Sequence, residues 1–282
     1  MSPPRLTDRA ALTRHRARAA QGGEAGLFLQ REARADIEER LAEVNRTFTA
    51  PAVVTGFPAV WDDLQPSARV VGDAEALDLE PKAHDLVVHA MALHWANDPV
   101  GQLIQCRRAL TPDGLFLGVS FGGLTLHELR RVLAEVEAKS RGGLSPRVAP
   151  MGEIRDLGAL LQRAGFALPV ADSRTVSVTY ADFTALVRDL RAMGETNALA
   201  ARDRRPLNRA ERKAAGDLYA SHFAGPDGRI EASFEFVFLT GWAPSDSQPK
   251  PLRPGSAARR LADALGTSES GAGETAMPQR DD

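Results

Sequence analysis

Residues 84–121 constrain the fold more than any other part of the chain. They begin with a short apolar run, Asp85-Leu-Val-Val-His89, of the kind found in buried parallel strands. Apolar residues then recur at helical spacing over 97–110, and Thr-Pro-Asp-Gly at 111–114 predicts a helix end and a turn. Residues 115–121 form a second apolar strand. The segment therefore predicts a β-α-β unit in a parallel sheet, where ligands bind at the carboxyl ends of the strands.

Composition limits the possible function classes. The 282 residues are 43% hydrophobic, which is enough for one large core, and the net charge of -2 gives no reason to expect a nucleic acid partner. The single cysteine, Cys106, lies within the predicted helix and is expected to fill the core. The six histidines show no metal-binding spacing, so no metal site is predicted.

The sequence also predicts where the protein resides. No apolar stretch is long enough for a membrane helix, and the first four residues lack the features of a signal peptide. We therefore expect a cytoplasmic protein without an integral membrane segment. The basic segment at 14–18 leaves open a contact with an acidic partner, or with an anionic membrane, which would place the protein peripherally at the inner face. The simpler interpretation is a solvated helix face.

Three regions are predicted along the chain: N-terminal helices at 1–48, a main domain at 49–242, and a disordered tail at 243–282 rich in Pro, Ser and Gly. Helices are predicted at 125–139, 154–164 and 181–193, strands at 175–180 and 230–242, and a short tail helix at 257–265. Gly165 is expected to end the second of these helices.

Six segments carry a family resemblance: HDLVVHAMALHWAND, LTPDGLFLGVSFGGLTLHELR, GLSPRVAPM, DLGALLQRAGF, RDLRAMGETNAL and FVFLTGW. Together they resemble the respiratory complex I assembly factor family, of arginine hydroxylase type, among the class I S-adenosylmethionine-dependent methyltransferase-like proteins. A weaker similarity reaches the malonyl carrier-protein methyltransferases of biotin synthesis. The resemblance implies a Rossmann-like, seven-stranded α/β sheet with a C-terminal antiparallel strand and S-adenosylmethionine across the carboxyl ends of the first strands. It also implies a protein client, an iron-sulfur subunit of complex I.

The cofactor half of this pattern is eroded. The family's first strand ends in an acidic residue and a Gly-x-Gly turn, whereas here only Gly56 remains, followed by Phe57 and Pro58. Asp73 lies in a stretch that resembles the loop after the third strand, where an acidic residue faces adenine. Only 16 residues separate Gly56 from Asp73. A helix, a strand and a second helix need about 35 to 40 residues. The second strand, with its ribose-binding carboxylate, is therefore expected to be missing and the first half of the fold truncated.

The resemblance gives four candidates for cofactor binding: Gly56, Asp73, Ala74 and His89. For Asp73 the alternative is a purely structural role in the Gly-Asp turn. S-adenosylmethionine is thus a cofactor candidate with a degenerate motif.

Two histidines are candidates for catalysis. His94 follows the strand at 84–89 and is placed for proton transfer, although His94 and Trp95 together also fit the lid of a core. His127 begins the helix after Gly122-Gly123, a turn that allows close backbone approach. In the simpler interpretation Thr125 and Glu128 form a capping box there. The loops at 145–147 and 194–197 match the family and lie over the same pocket, or they are ordinary loops.

Two functional interpretations follow. In the first, the chain is a methyltransferase-like protein that assists complex I assembly by binding a protein client, with its cofactor site degenerate and catalysis reduced or lost. In the second, it is an active S-adenosylmethionine-dependent methyltransferase or arginine hydroxylase acting on a protein substrate. The broken turn and the missing strand favour the first interpretation, and the downstream motifs permit the second.

Overall fold

The computed structural model describes residues 5–248, apart from the side chains of Glu24 and Ala25, and one six-stranded sheet lies at its centre. The strands are β1 (Pro51–Thr55), β2 (Arg69–Val71), β3 (His84–Ala90), β4 (Leu110–Phe121), β5 (Ala167–Tyr180) and β6 (Ile230–Trp242). Their spatial order is β2-β1-β3-β4-β6-β5, and β6 runs antiparallel to both of its neighbours. The pairs among β1 to β4 are parallel. The predicted α/β class with a C-terminal antiparallel strand is confirmed.

The sheet of the described residues has six strands where the family resemblance implies seven. β1 pairs directly with β2, with Val53 opposite Val70. Between these strands, residues 56–68 contain one short helix, α3 (Pro58–Trp61). A parallel strand with its own crossover helix needs a dozen or more residues in addition. Among the described residues the sheet therefore lacks one strand of the family's seven, as the sequence predicted, and the truncation of the first half is confirmed.

Besides two 3-10 helices at Glu24–Leu27 and Leu93–Trp95, seven further α-helices among the described residues connect and cover the strands. They are α1 (Arg9–Gln21), α2 (Phe28–Glu43), α4 (Pro99–Ala109), α5 (His127–Arg141), α6 (Ile154–Ala164), α7 (Phe183–Ala192) and α8 (Arg209–Phe223). The predicted end of α6 at Gly165 is confirmed, since Gly165 has a φ of 83°, in the left-handed region that glycine tolerates. The segment at 111–114, predicted as a turn outside the strand, lies within β4. Asp113 nevertheless has a left-handed φ of 62° there.

The capping box predicted at Thr125 and Glu128 is wrong. The residue before α5 is Leu126, in a left-handed conformation and without a side-chain cap. Thr125 Oγ1 instead accepts a hydrogen bond from the main-chain N–H of Glu235 at 3.1 Å. Glu128 accepts from the main-chain N–H of Ser233 at 3.1 Å. Both side chains bind β6 because the neighbouring strand offers donors that compete with the helix end.

Two apolar cores lie on the two faces of the sheet. Val53 belongs to the larger core and Val54 to the smaller, as expected for side chains that alternate along a strand. Helices α2, α5, α7 and α8 contribute to the larger core, and α4 and α6 to the smaller. Cys106 is fully buried in the smaller core, which confirms its predicted role as a packing residue.

The N-terminal segment is fixed against two distant parts of the chain. Thr7 forms a β-bridge with Leu199, and the main-chain N–H of Asp8 donates to the oxygen of Ala198 at 2.7 Å. The side chain of Asn97 accepts hydrogen bonds from the N–H groups of Leu6 and Thr7, both at 2.8 Å. These contacts hold α1 beside the carboxyl ends of the strands.

Part of the sequence predictions concerns residues outside the described range. The helix predicted at 257–265 and most of the tail predicted at 243–282 lie there. Within residues 5–248, none of the helices combines the length and the apolar character needed to cross a membrane.

Candidate functional site

The carboxyl ends of β1 and β2 bring Gly56 and Asp73 together, and α1 covers both. Asp73 is 4% exposed, and its two carboxylate oxygens accept hydrogen bonds from Arg16 Nη1 at 2.7 Å and Arg9 Nη1 at 3.1 Å. Arg9 Nη2 also donates to the main-chain oxygen of Asp73 at 2.8 Å. Two helical turns separate the arginines, so they lie on one face of α1. The helix thus brings two guanidinium groups to the carboxylate that the family resemblance assigns to adenine.

The charge state of Asp73 follows from these contacts. Burial alone would raise the pKa of its carboxyl group, but Arg16 and Arg9 outweigh burial and lower the pKa from 3.8 to about 2. Asp73 is therefore ionised at neutral pH, with both oxygens bonded to arginine. An adenine amine would have to displace one of these charge-assisted hydrogen bonds, which are the stronger kind.

The space beside Gly56 is also occupied. A Cβ atom added at Gly56 would overlap the guanidinium group of Arg16. The carbon of that guanidinium group lies 5.6 Å from the ring centre of Phe57. A bare glycine normally lets a ligand approach the backbone closely. Here the Arg16 side chain, rather than a ligand, lies against the backbone of Gly56.

A cleft of about 620 Å³ surrounds these residues, and we call it the Gly56–Asp73 cleft. Asp73 is the one acidic residue among those that line it, whereas Arg9 and Arg16 both do. S-adenosylmethionine carries a positively charged sulfonium and presents ribose hydroxyls that call for a carboxylate. The described residues of the cleft offer no free carboxylate, and a net positive charge remains after Arg9 and Arg16 pair with Asp73. They do not fit this cofactor.

A second group of buried polar side chains centres on Glu195. Trp95 Nε1 donates a hydrogen bond to Glu195 Oε2 at 2.8 Å, and His94 Nε2 lies 3.3 Å from the same oxygen. His94 Nδ1 lies 3.3 Å from Ser120 Oγ, at the end of β4. Burial alone would raise the pKa of the Glu195 carboxyl group. The charges of His94 and Arg16 lower it by more than burial raises it, so the net shift is downward. His94 is thus held between the end of β4 and the loop after α7, with 1% of its side chain exposed.

The other two cofactor candidates, Ala74 and His89, lie outside the lining of the Gly56–Asp73 cleft. His89 is fully buried in β3, and its Nε2 lies 2.9 Å from Gln102 Oε1. Burial lowers the pKa of His89, which favours the neutral ring. The Gln102 amide in turn donates to the main-chain oxygens of Asp73 at 3.2 Å and Ala74 at 3.0 Å. His89 and Ala74 therefore belong to a network that supports the loop carrying Asp73.

The catalytic candidate His127 and the glycine turn before it are not part of this cleft either. About half of the His127 side chain is exposed, and its Nδ1 lies 3.1 Å from the main-chain oxygen of Leu124. A Cβ at Gly122 would come within 2.5 Å of Glu235 Oε2, and one at Gly123 would overlap Glu153. Carboxylates of the same chain therefore occupy the space that both glycines leave open.

A second cavity, of about 730 Å³, lies where the loops at 145–147 and 194–197 meet. The Asn197 side-chain amide donates to the main-chain oxygen of Arg147 at 2.9 Å, so the predicted proximity of these loops is observed. Apolar side chains form part of the lining: Leu126, Leu129, Leu133, Met151, Phe183 and Leu190. Seven arginines also line the cavity, which we call the arginine-rimmed cavity. Trp95 and Glu195 connect it to the buried group around His94.

The sequence interpretation missed Arg9 and Arg16. The basic segment at 14–18 was expected to form a solvated helix face, and this is wrong for Arg16, which is 9% exposed. The signal that could have found the pair is their two-turn spacing on one helix face. Glu195 lay within a loop that the sequence did single out, but its role as the partner of His94 and Trp95 appears only in the structure.

The comparisons with known proteins agree with the fold. Residues 31–118 match the methyltransferase domain family. The chain is 38% identical to the arginine-hydroxylase NDUFAF5 of Danio rerio over 70% of this chain and 61% of that protein. It is also 38% identical to the protein of that name from Homo sapiens, over 68% of this chain and 55% of the human protein.

A malonyl-acyl-carrier-protein O-methyltransferase of Halorhodospira halophila is 33% identical over 72% of this chain and 67% of that protein. The chain therefore belongs to the class I S-adenosylmethionine methyltransferase-like family. The resemblance indicated by the six segments is confirmed. The chain spans less than two thirds of the length of the NDUFAF5 proteins reported above.

Proposed function

We propose that this chain is a methyltransferase-like assembly factor for respiratory complex I, which binds a protein client and has a degenerate cofactor site. The observation that carries the proposal is the occupation of the Gly56–Asp73 cleft by Arg9 and Arg16. The family relatives support the assembly role. The client would be an iron-sulfur subunit of complex I, met in the cytoplasm or at the inner face of the membrane.

The expected loss of cofactor affinity can be estimated. The missing strand removes the ribose-binding carboxylate, and the shortened turn removes backbone donors to the cofactor. Each hydrogen bond to a charged group contributes about 1.5 to 3 kcal/mol. Two such losses weaken binding by about three decades, because about 1.4 kcal/mol corresponds to a factor of ten. Displacing Arg16 from Asp73 adds a further cost.

The same proposal assigns roles to the regions of the chain. The N-terminal helices of 1–48 would close the cleft of the methyltransferase-like domain at 49–242. The ion pairs of Arg9 and Arg16 with Asp73 support these separate roles of the two regions. The scaffold would then act through its surface rather than through a bound sulfonium donor.

Deletion of the gene in its host tests the assembly role. We expect less assembled complex I on native gels and a proportionate loss of NADH:quinone oxidoreductase activity, both restored by a plasmid copy of the wild-type gene. The succinate dehydrogenase complex serves as the internal control and should be unchanged. A normal level of complex I in the deletion strain would contradict the proposal.

A second candidate is a working methyltransferase or arginine hydroxylase that acts on a protein substrate. The observation favouring it is the buried pair of His94 and Glu195, which adjoins the arginine-rimmed cavity at the carboxyl ends of β3 and β4. Ligands bind at such strand ends in open α/β sheets. This candidate requires measurable affinity for S-adenosylmethionine, and calorimetry therefore separates it from the first.

A further inference from the structure

The arginine-rimmed cavity combines apolar walls with positive charge that the described part of the chain does not neutralise. The apolar walls come from α5 and α7, with Leu129, Leu133 and Leu190 among the lining residues. Its volume of about 730 Å³ lies in the range of cavities that hold a ligand or a cluster of side chains. An occupant therefore needs apolar groups to fill it.

The arginines of the cavity fall into two groups. Arg147, Arg202, Arg204 and Arg205 form ion pairs with nearby carboxylates of Glu137, Asp8 or Asp203. Arg14, Arg191 and Arg212 are exposed and form no ion pair with any of the described residues. They belong to three different helices, α1, α7 and α8. Positive charge without a partner therefore surrounds the cavity on several sides.

The pKa shifts of Arg18 and His15, beside the cavity, also indicate a positive electrostatic potential there. Burial and the charge of Arg191 together lower the pKa of Arg18, and the Nε of Arg18 is buried without a hydrogen-bond partner. Burial is the main cause of a lowered pKa at His15, and Arg18, Arg202 and Arg14 lower it further. Like charges are thus held close together, although Arg202 pairs with Asp8 and Arg18 donates a hydrogen bond to Thr196 Oγ1. A partner that brings carboxylates would relieve this repulsion.

We infer that the arginine-rimmed cavity is the docking site for an acidic, amphipathic segment of the protein client. Apolar side chains of the segment enter the cavity, and its carboxylates bind Arg14, Arg191 and Arg212, whose planar guanidinium groups suit bidentate pairing. The inference rests on the proposed client-binding function and names the chemistry of the client surface.

Two other classes of partner fit the observations less well. A single-stranded nucleic acid needs several aromatic rings on which successive bases stack, but the described lining of this cavity has only Trp95 and Phe183, and Trp95 is bonded to Glu195. A membrane surface is bound by apolar side chains that project outward beside the basic ones. Here the large apolar lining residues of the described chain lie in a concavity, apart from Val187, which is 42% exposed. A polypeptide segment reaches them and the charges together.

Fluorescence anisotropy with a labelled peptide tests the inference on the full chain. The probe is an amphipathic peptide of about 16 residues with leucines at helical spacing and glutamates elsewhere. The matched peptide carries lysine in place of glutamate. We expect saturable binding of the glutamate peptide that weakens with added salt, and no binding of the lysine peptide. Equal binding of both peptides, or of neither, overturns the inference.

Charge reversal locates the site. In the double variant Arg191→Glu, Arg212→Glu we expect affinity for the glutamate peptide to fall at least about tenfold. The matched control is Arg155→Glu, Arg163→Glu, which reverses two exposed arginines on α6, outside the cavity lining, and should bind as the wild type does. Circular dichroism checks that each variant is folded. If folded variants of both kinds bind equally, the inference is wrong.

Two competitors test the other partner classes. Phosphatidylserine-containing vesicles and a single-stranded oligonucleotide are each added to the complex with the labelled peptide. If neither competitor displaces the peptide, the result supports a protein segment as the occupant. Displacement by vesicles at a lower concentration than unlabelled peptide would assign the cavity to a lipid surface. Displacement by the oligonucleotide would assign it to nucleic acid, and either result overturns the inference.

Complementation separates this inference from the proposed function. If deletion of the gene leaves complex I normal, the assembly role fails, whatever the peptide result. If deletion lowers complex I and the Arg191→Glu, Arg212→Glu variant restores it fully, the assembly role stands and the docking site is wrong. Both hold if the α6 control variant restores complex I and the cavity variant does not.

Discussion

Arg16 is a buried charge that is stable only because carboxylates face it. Its side chain is 10% exposed, and it donates to Asp73 while its charge also lowers the pKa of Glu195. An unpaired guanidinium group in such a place would cost several kcal/mol. At the scale of single residues, the ion pair of Arg16 and Asp73 thus links the N-terminal helix to the cleft that a cofactor would need.

Removing the guanidinium group should therefore cost stability. We expect Arg16→Ala to lower the free energy of unfolding by about 3 kcal/mol, because Asp73 stays buried and keeps only Arg9 as a charged partner. The matched control is Arg155→Ala, an exposed residue on α6, which should change stability by less than about 0.5 kcal/mol. Urea unfolding at neutral pH measures both. Equal stability of the two variants would contradict the account of Arg16.

The pKa of Asp73 gives a second prediction. The folded-state value of about 2 lies below the ordinary 3.8, so the ionised carboxylate stabilises the folded state above pH 4. This contribution is lost as the pH falls toward 2. The gap in unfolding free energy between wild type and Asp73→Asn should therefore shrink by about 1 kcal/mol between pH 6 and pH 3. Urea unfolding at both pH values measures the gap, and a constant gap would show that Asp73 is not held in this way.

The site residues that the sequence predicted belong to local patterns, whereas those that it missed depend on contacts between distant parts of the chain. Gly56 and Asp73 belong to recognisable local patterns, and the structure brings both into one cleft. Arg16 contacts Asp73 across 57 positions of sequence, and no local pattern encodes such a distant pair. The spacing of Arg9 and Arg16 shows that they share a helix face, but only the folded chain shows what that face covers.

At the scale of elements, the local sequence was sufficient to predict the end of a helix or strand where a single residue, such as a glycine, determines that end. Helix α6 ends at Gly165 as predicted, and β6 spans the predicted residues 230–242. Helix α8 was not predicted, although Asn208 and Glu211 form a true capping box at its start. The same kind of pattern is present at the start of α5, but there Thr125 and Glu128 accept hydrogen bonds from main-chain N–H groups of β6 instead. Tertiary contacts decide between such equivalent local options.

The junction of β4 and α5 offers a test at this scale. We expect Gly122→Ala to destabilise the fold by about 1 to 3 kcal/mol, because its Cβ would press on the buried carboxylate of Glu235 and on Val237. Gly143→Ala is the control, since an added Cβ there meets nothing within 4 Å, and its effect should stay within about 0.5 kcal/mol. Thermal unfolding compares the two. A larger loss at Gly143 would contradict the packing described for this junction.

At the scale of the whole molecule, the shortened first half and the N-terminal helices are two parts of one arrangement. Without the seventh strand, the described sheet ends in the three-residue strand β2 beside β1. The loop after β2 carries Asp73, and α1 neutralises it. The arginine-rimmed cavity lies apart from this cleft, with a different lining apart from the shared helix α1. On the proposed function, α1 blocks the cofactor site with Arg9 and Arg16, and the arginine-rimmed cavity is left as a separate surface for the client.

The most direct test of the central claim is isothermal titration calorimetry of the full chain with S-adenosylmethionine at neutral pH. A catalytically active malonyl-acyl-carrier-protein O-methyltransferase, titrated under the same conditions, is the positive control. Arg9 and Arg16 bind the Asp73 carboxylate, and Arg16 also fills the space beside Gly56, where the cofactor would bind. We therefore predict no saturable heat up to millimolar ligand. A dissociation constant in the micromolar range would contradict the account and favour the active enzyme.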